Sequence, residues 1–366
     1  MRFEVRREPL LTALQAIVGV VERRQTLSVL GNIRVEARAQ QLQLTATDLE
    51  VELVAYLDAE TQTEGATTLP ARKWLDICRN LPEEAVLQVT FEQGRATLRS
   101  ANSRFSLATL PAEEFPEVES IGATESVAIP RRELRRLIEL THFSMAQHDV
   151  RYYLNGLLLE LTGSGARAVA TDGHRLALAE SDTPIAVSQP RQVIVPRKGV
   201  QELMRLLDDA EEPAQVEFGD NHIRVSLETV RFTSKLIDGT FPDYNRVIPQ
   251  GGDKHILVDR QALRQAITRV AILSNEKYRG VRFGVEGDTL RVGSQNPEQE
   301  EAEEEVGIEY GGEAVELGFN ANYMLDALNA MDTERVHITL TDASSSGLFH
   351  GEGVENVRYV IMPMRL

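Results

Sequence analysis

A single cysteine, Cys78, stands among 366 residues, so no disulfide framework can form and a reducing compartment is expected. No apolar run approaches the roughly 20 residues of a membrane-spanning helix. The chain opens Met1-Arg2-Phe3-Glu4-Val5, already an alternating strand, with no leader-like apolar segment, so the expected location is the cytoplasm. Zinc-finger spacing, a recognition-helix signature and an aromatic RNA-binding motif are all missing, as is the G-x-S-x-G elbow of many hydrolases. Positive charge is scarce too: 39 Lys and Arg stand against 56 Asp and Glu, a net charge of -17. Such a surface repels phosphate, which at first sight argues against nucleic acid.

What the chain does have is a repeat. Thr47-Asp48, Thr171-Asp172 and Gln295-Asn296 each follow an apolar alternating run, and a constant step of 124 residues separates them. Each is followed by a predicted helix: Ala71 to Leu81, Arg197 to Leu207, and Asn320 to Met331. Each copy also opens with a short strand and an amphipathic helix. The first has Leu10, Leu14, Ile17 and Val21, the second Leu134, Leu137 and Ile138 after Pro130, and the third Leu263, Ala266, Ile267 and Val270. A unit of this length is a small domain rather than a solenoid turn. The fold class is therefore α+β: three repeated domains, each with two helices packed on antiparallel sheets. Joints rich in Pro, Gly and acids, Pro111 to Thr124 and Pro242 to Asp253, set the boundaries at 1–122, 123–250 and 251–366.

Within the acidic chain the helices carry bases. Arg131, Arg132, Arg135 and Arg136 lie on one, Arg260, Arg264 and Arg269 on another, with Arg72, Lys73, Arg197, Lys198 and Arg205 elsewhere. Acids concentrate at Glu113-Glu114, Asp208-Asp209 and Glu298 to Glu305. Two readings stand side by side: a weak, shape-blind phosphate surface, or helix faces that are simply solvated. Asp172, His174 and Ser144 invite a hydrolase reading. Asp-Gly is a strong turn signal, however, and the first repeat has Asp48 with no histidine after it, which favours a turn. His142, His148 and Asp149 form no closed ligand set, so no metal and no cofactor are expected.

Several stretches then become specific: TTLPARK (67–73), RFSL (104–107), DVRYYLNG (149–156), TDGHRL (171–176), FPDY (241–244), LSNEK (273–277), NPEQEEAEE (296–304) and the tail YVIMPMRL (359–366). In this order, over essentially the whole chain, they resemble the bacterial sliding clamp family, the beta subunit of DNA polymerase III. The resemblance implies that two crescent subunits pair head to tail into a six-domain ring around duplex DNA, with helices inside and sheets outside. A non-enzymatic processivity factor is expected, a homodimer that holds DNA polymerases, a clamp loader and repair proteins through short linear peptides. No membrane partner is implied.

The resemblance also implies three sets of residues. A hydrophobic peptide groove would be walled by Leu154, Thr171, Gly173, His174, Arg175, Leu176, Pro242, Arg246 and Val247. The tail residues Val360, Met362, Pro363, Met364, Arg365 and Leu366 would complete it, with the methionines adapting to varied peptides and Arg175 orienting polar groups. Arg24, Arg72, Gln147, Arg197 and Lys198 would face DNA. At the subunit contact Phe105 and Leu107 would meet Ile272 and Leu273. Lys73, Arg95 and Arg104 would meet the acidic run Glu298, Glu300, Glu301, Glu303 and Glu304. Asn102 and Asn245 stand where the family pattern has further bases.

Overall fold

The computed structural model describes residues 1–22, 27–116, 121–123, 125–181 and 183–365. Arg24 and Leu366, both assigned from the resemblance, lie outside the described residues.

Six α-helices occur among the described residues: α1 (Arg7–Ile17), α2 (Ala71–Asn80), α3 (Arg131–Glu139), α4 (Arg197–Leu206), α5 (Arg260–Val270) and α6 (Ala321–Ala330). They form where apolar residues recur every three or four positions, because that spacing gives a helix one buried stripe. In α1 the stripe is Leu10, Ala13, Leu14 and Ile17. In α2 it is Ala71, Trp74, Leu75 and Cys78, and in α5 Leu263, Ala266, Ile267 and Val270. The starts of α5 and α6 are capped by side chains: Asp259 accepts from the Ala262 amide, and Asn320 from the amides of Asn322 and Tyr323.

By contacts the chain forms two compact units. One comprises Met1–Leu134 and Lys198–Leu236, the other Arg135–Arg197 and Ile237–Leu366. The central repeat is thus divided between them, because its strands continue the sheets of its neighbours. The first unit holds a five-stranded sheet and an eight-stranded one. In the eight-stranded sheet, Val230–Lys235 of the second repeat pairs antiparallel with Val51–Asp58 of the first. The second unit holds a twelve-stranded sheet in which Val357–Ile361 pairs with Arg175–Glu180. The same backbone bond closes both joints: the Lys235 amide donates to the Glu50 carbonyl at 2.9 Å, and the Met362 amide to the His174 carbonyl at 2.9 Å.

The recurring Thr-Asp pairs are turns. Asp48 Oδ1 accepts the amides of Glu50 and Val51, and Asp172 Oδ1 those of His174 and Arg175. Thr47 and Thr171 tie the same turns through their hydroxyls, which donate to the carbonyls of Val51 and Arg175. Asn296 does the same for the Glu300 amide, across a turn one residue longer. Thus Asp172 is occupied in holding backbone, and its second oxygen takes Arg175 Nε at 3.2 Å rather than a histidine ring.

Candidate peptide-binding groove

The strand Arg175–Glu180 sends alternate side chains to opposite faces. On one face Leu176 stands directly opposite Val360, and Leu348 on the next strand stands opposite Val360 in turn. Two positions along, Leu178 is opposite Val169, Val169 opposite Leu158 and Leu158 opposite Ile194. These side chains form one apolar cluster with Tyr244 and Ile248. Tyr153, Ile237, Phe241, Val247 and Leu348 pack partly buried against it. Leu154 is buried as well, while Met362 is 39% exposed and His174, Pro242 and Arg246 lie at the surface. The result is a buried apolar floor with a part-exposed methionine and polar residues along its rim, a combination suited to an apolar peptide anchor.

Tyr244 is pinned by a polar set on the same face of the sheet, two positions along from the apolar floor. Its hydroxyl donates to Glu160 Oε2 at 2.5 Å and accepts from Arg167 Nη1 at 2.7 Å. Burial, then the Glu160 carboxylate, push the phenol up to about 12. Arg167 also donates to Glu180, whose other oxygen takes Arg358 at 2.7 Å. Gln192 completes the set by donating to Glu160.

Arg175, assigned to the groove from the resemblance, is held by contacts within the chain. It points away from the groove face and is nearly enclosed. Nη1 donates to Asp326 Oδ2 at 2.5 Å, Nη2 to the Phe143 carbonyl at 2.7 Å, and the guanidinium lies 4.5 Å from the Tyr323 ring centre. Three of its five donors are thus committed to Asp172, Asp326 and the Phe143 carbonyl. Arg151 stands instead at the rim. It is clamped to Asp149 at 2.9 Å, with its guanidinium against Gly173, whose φ of +87° suits glycine. The tail is fixed by the Met364 amide, which donates to the Gly318 carbonyl at 2.9 Å. Met364 and Arg365 line a cavity of about 450 Å³ with Tyr278, Arg282 and Asn296.

The bases assigned to DNA are largely held within the chain. Lys198 pairs with Glu22 at 2.5 Å and with Asp48. Arg72 donates to the Val21 carbonyl at 2.9 Å and Arg197 to that of Met145 at 3.2 Å. Arg131 pairs with Asp208, Arg132 with Glu211 and Arg269 with Glu304. Gln147 is exposed, in a loop where Val150 is 95% exposed.

At the assigned subunit contact, Ser103–Ala108 is an edge strand of the five-stranded sheet, with Phe105 and Leu107 half-buried and Arg104 exposed. Lys73 is also exposed, whereas Arg95 donates to Ser106 Oγ at 3.0 Å. In the second unit Ile272 is 74% exposed beside Leu273. The acidic run is not a free set: Glu303 pairs with Arg291, Glu304 with Arg269, and Glu300 accepts from Asn296 at 2.7 Å. Glu298 and Glu301 remain exposed.

Sequence reading missed most of the groove floor. Leu158, Val169, Leu178, Ile194, Leu348, Tyr244 and Ile248 arrive from six separate segments. Only the strand alternation around each leucine and valine marks them as facing one way.

Among the described residues no group of three or more His, Cys, Asp or Glu is placed to hold a metal, and no helix is long and apolar enough to cross a membrane. The chain matches three family descriptions end to end: DNA polymerase III beta subunit, N-terminal domain (residues 1–119), central domain (128–243) and C-terminal domain (245–365). It is 51% identical over 367 residues to the beta sliding clamp of Pseudomonas putida, covering all of both chains. A crystal structure of the DNA polymerase III subunit beta from Pseudomonas aeruginosa superimposes with a TM-score of 0.97 at 50% identity over both full lengths. A structure of that organism's clamp bound to griselimycin gives 0.96, at the same identity and coverage.

Proposed function

This chain belongs to the DNA polymerase III beta subunit family, the beta sliding clamps, and from that premise we infer how it closes and what it holds. It is a polymerase processivity factor with no catalytic role. Two copies close head to tail around duplex DNA in the cytoplasm, and partner proteins insert a short peptide into the groove floored by Leu176, Tyr244 and Val360. The domain division at 1–122, 123–250 and 251–366 goes with this reading.

One observation carries the closure. Three strands, opening at Ser103, Val230 and Val357, follow one another at a constant step of 127 residues. Each has arginine then an aromatic at the same place: Arg104-Phe105, Arg231-Phe232 and Arg358-Tyr359. Phe232 and Tyr359 are each 1% exposed, because their strands are paired across a repeat joint. Phe105 lies on a strand with one open edge, and is not enclosed. The strand Glu301–Glu309 has the complementary vacancy: on one side it is paired only at its end, through Ile308 and Glu309. A second copy supplies what each edge lacks, and because the two ends differ, two copies give two identical contacts.

The internal joints also give the register. Val51 is opposite Ser234 and Arg175 opposite Ile361. Carried to the third joint, with its turn one residue longer, this sets Phe105 opposite Ala302 and Arg104 opposite Glu303. The Phe143 ring packs 5.8 Å from Tyr359 in the turn after α3. Ile272, in the turn after α5, would meet Phe105 in the same way. The apolar contact then carries closure, and rim ion pairs add little.

With Lys198 ion-paired and Arg72 and Arg197 tied to backbone carbonyls, contact with phosphate is weak and free of sequence choice, so the ring is retained by topology. The test is retention on DNA. Protein loaded onto a nicked circle should stay through gel filtration and be lost when the circle is linearised. Tight binding to short linear duplexes would count against the ring.

A further inference from the structure

Three histidines lie in a row on the second unit's sheet, beside the groove. His255, His337 and His350 come from the adjacent strands Lys254–Asp259, Arg335–Leu340 and Gly347–Gly351. His337 is directly opposite His350, with ring centres 4.8 Å apart, and His255 lies diagonally, 5.4 Å from His337. Thr339 stands opposite both His255 and Leu348, and Leu348 is opposite Val360 of the groove floor. One strand, Gly347–Gly351, therefore carries a groove residue and a rung of the ladder two positions apart.

Neutral imidazoles stack at such distances, whereas protonated ones repel. The charged groups on the surrounding strands are mostly paired with one another. At one end Arg335 lies between Glu309 (2.6 Å) and Glu352 (3.9 Å). At the other, Arg358 is held by Glu180, with Glu355 exposed beside them. On the His255 strand, Lys254 takes Asp253 and Asp259 caps α5. Burial, then His350 and His255, hold the His337 imidazole below its ordinary value, and Glu352 pulls the other way. A histidine lowered on folding stabilises the fold above its unfolded value of about 6.5, and that stabilisation is lost as pH falls below it.

We propose that the His255–His337–His350 ladder is an acid-sensitive latch on the groove wall, which rests on the groove assigned above. When the rings are neutral they hold strand Gly347–Gly351, and with it Leu348, against the groove cluster. When they are charged the strand loosens and the groove loses affinity.

The probe is griselimycin, titrated into the full-length protein between pH 7.5 and 5.5. Wild type should bind clearly more weakly at pH 5.5 than at pH 7.5. The triple variant His255→Gln, His337→Gln, His350→Gln should bind as wild type does at pH 7.5 and stay flat on acidification. His174 lies in the groove itself, so His174→Gln is measured alongside. A pH dependence that survives the triple variant, or that disappears with His174→Gln alone, overturns the latch. Amide hydrogen exchange, corrected for intrinsic rates, gives a readout that does not need the groove. Protection at 347–351 should fall at pH 5.5 in wild type and hold in the triple variant. If griselimycin fails to bind at pH 7.5, the groove reading falls. If protection at 347–351 does not respond to acid, the latch falls whatever the groove binds.

Discussion

Arg175 donates to Asp326 at 2.5 Å, joining the strand that floors the groove to helix α6, 151 residues further along the chain. The same guanidinium holds Asp172 and the Phe143 carbonyl, so one side chain fixes a turn, a helix and a loop. A lysine keeps the charge but not the fork. Arg175→Lys should therefore cost about 1.5–3 kcal/mol, the loss of hydrogen bonds that involve a charged group. The urea midpoint would fall accordingly. An unchanged midpoint would mean that the three contacts are not held together in solution.

Tyr359 offers the opposite case. Its ring is 1% exposed, yet its hydroxyl has no hydrogen-bond partner among the described residues, and burial pushes the phenol well above its ordinary value. Phe232 fills the equivalent place without a hydroxyl. Removing a buried donor that has no partner relieves its desolvation cost. Tyr359→Phe should leave stability unchanged or raise it by up to about 1 kcal/mol. A clear loss in thermal denaturation would show that the hydroxyl has a partner after all.

Much of this architecture was legible in the chain. Helix stripes such as Leu10, Ala13, Leu14 and Ile17 announce themselves by spacing, and the Thr-Asp pairs mark turns because a short acceptor bonds the amides that follow it. The α+β class and the threefold repeat follow from those local signals. What a side chain does across the sheet was not legible. Arg175 and Leu176 are neighbours in sequence, and only the pleat sends one to Asp326 and the other to Val360. Lys198 reads as a free base until folding brings Glu22, 176 residues away, to 2.5 Å. The groove floor was hidden for the same reason, since its members share a face only after strands from both ends of the unit pair.

The loop before the groove should resist acid far better than the histidine ladder. Asp149 is held down to about 2 by hydrogen bonds from the Arg151 side chain and amide. A carboxylate lowered on folding stabilises the fold above its unfolded value of about 3.9, and loses that only as pH falls through the folded value. The clip therefore stays closed from neutral pH down to about 4. Carboxyl titration by NMR should place the Asp149 midpoint near 2, and Arg151→Gln should return it to about 3.9. A wild-type midpoint near 4 would mean the clip is open in solution.

Met364 and Arg365 lie beyond the last strand and outside the buried core. Met364 makes one backbone bond, to Gly318, and Arg365 is exposed. Deleting Met364 to Leu366 should leave the thermal transition within a degree or two. It should weaken griselimycin at least about tenfold, the effect of roughly 1.4 kcal/mol of lost contact. Full affinity in the truncated chain would remove these residues from the site.

The register at the subunit contact gives the sharpest test of closure. Residues directly opposite on antiparallel strands have Cα atoms about 4.5–5.5 Å apart, within reach of a disulfide. Native Cys78 is buried, and burial pushes its thiol up to about 12, so it should not interfere. Arg104→Cys with Glu303→Cys in one chain should give a covalent dimer on mild oxidation, seen on a non-reducing gel. Either single variant should stay monomeric there. Shifting the second cysteine to Glu305 moves it about 7 Å along the strand and should abolish the crosslink. Crosslinking at 305 but not at 303 would mean that the third joint does not repeat the register of the other two. Failure at both positions, with sedimentation showing a monomer, would mean that the edges at Ser103–Ala108 and Glu301–Glu309 do not meet at all.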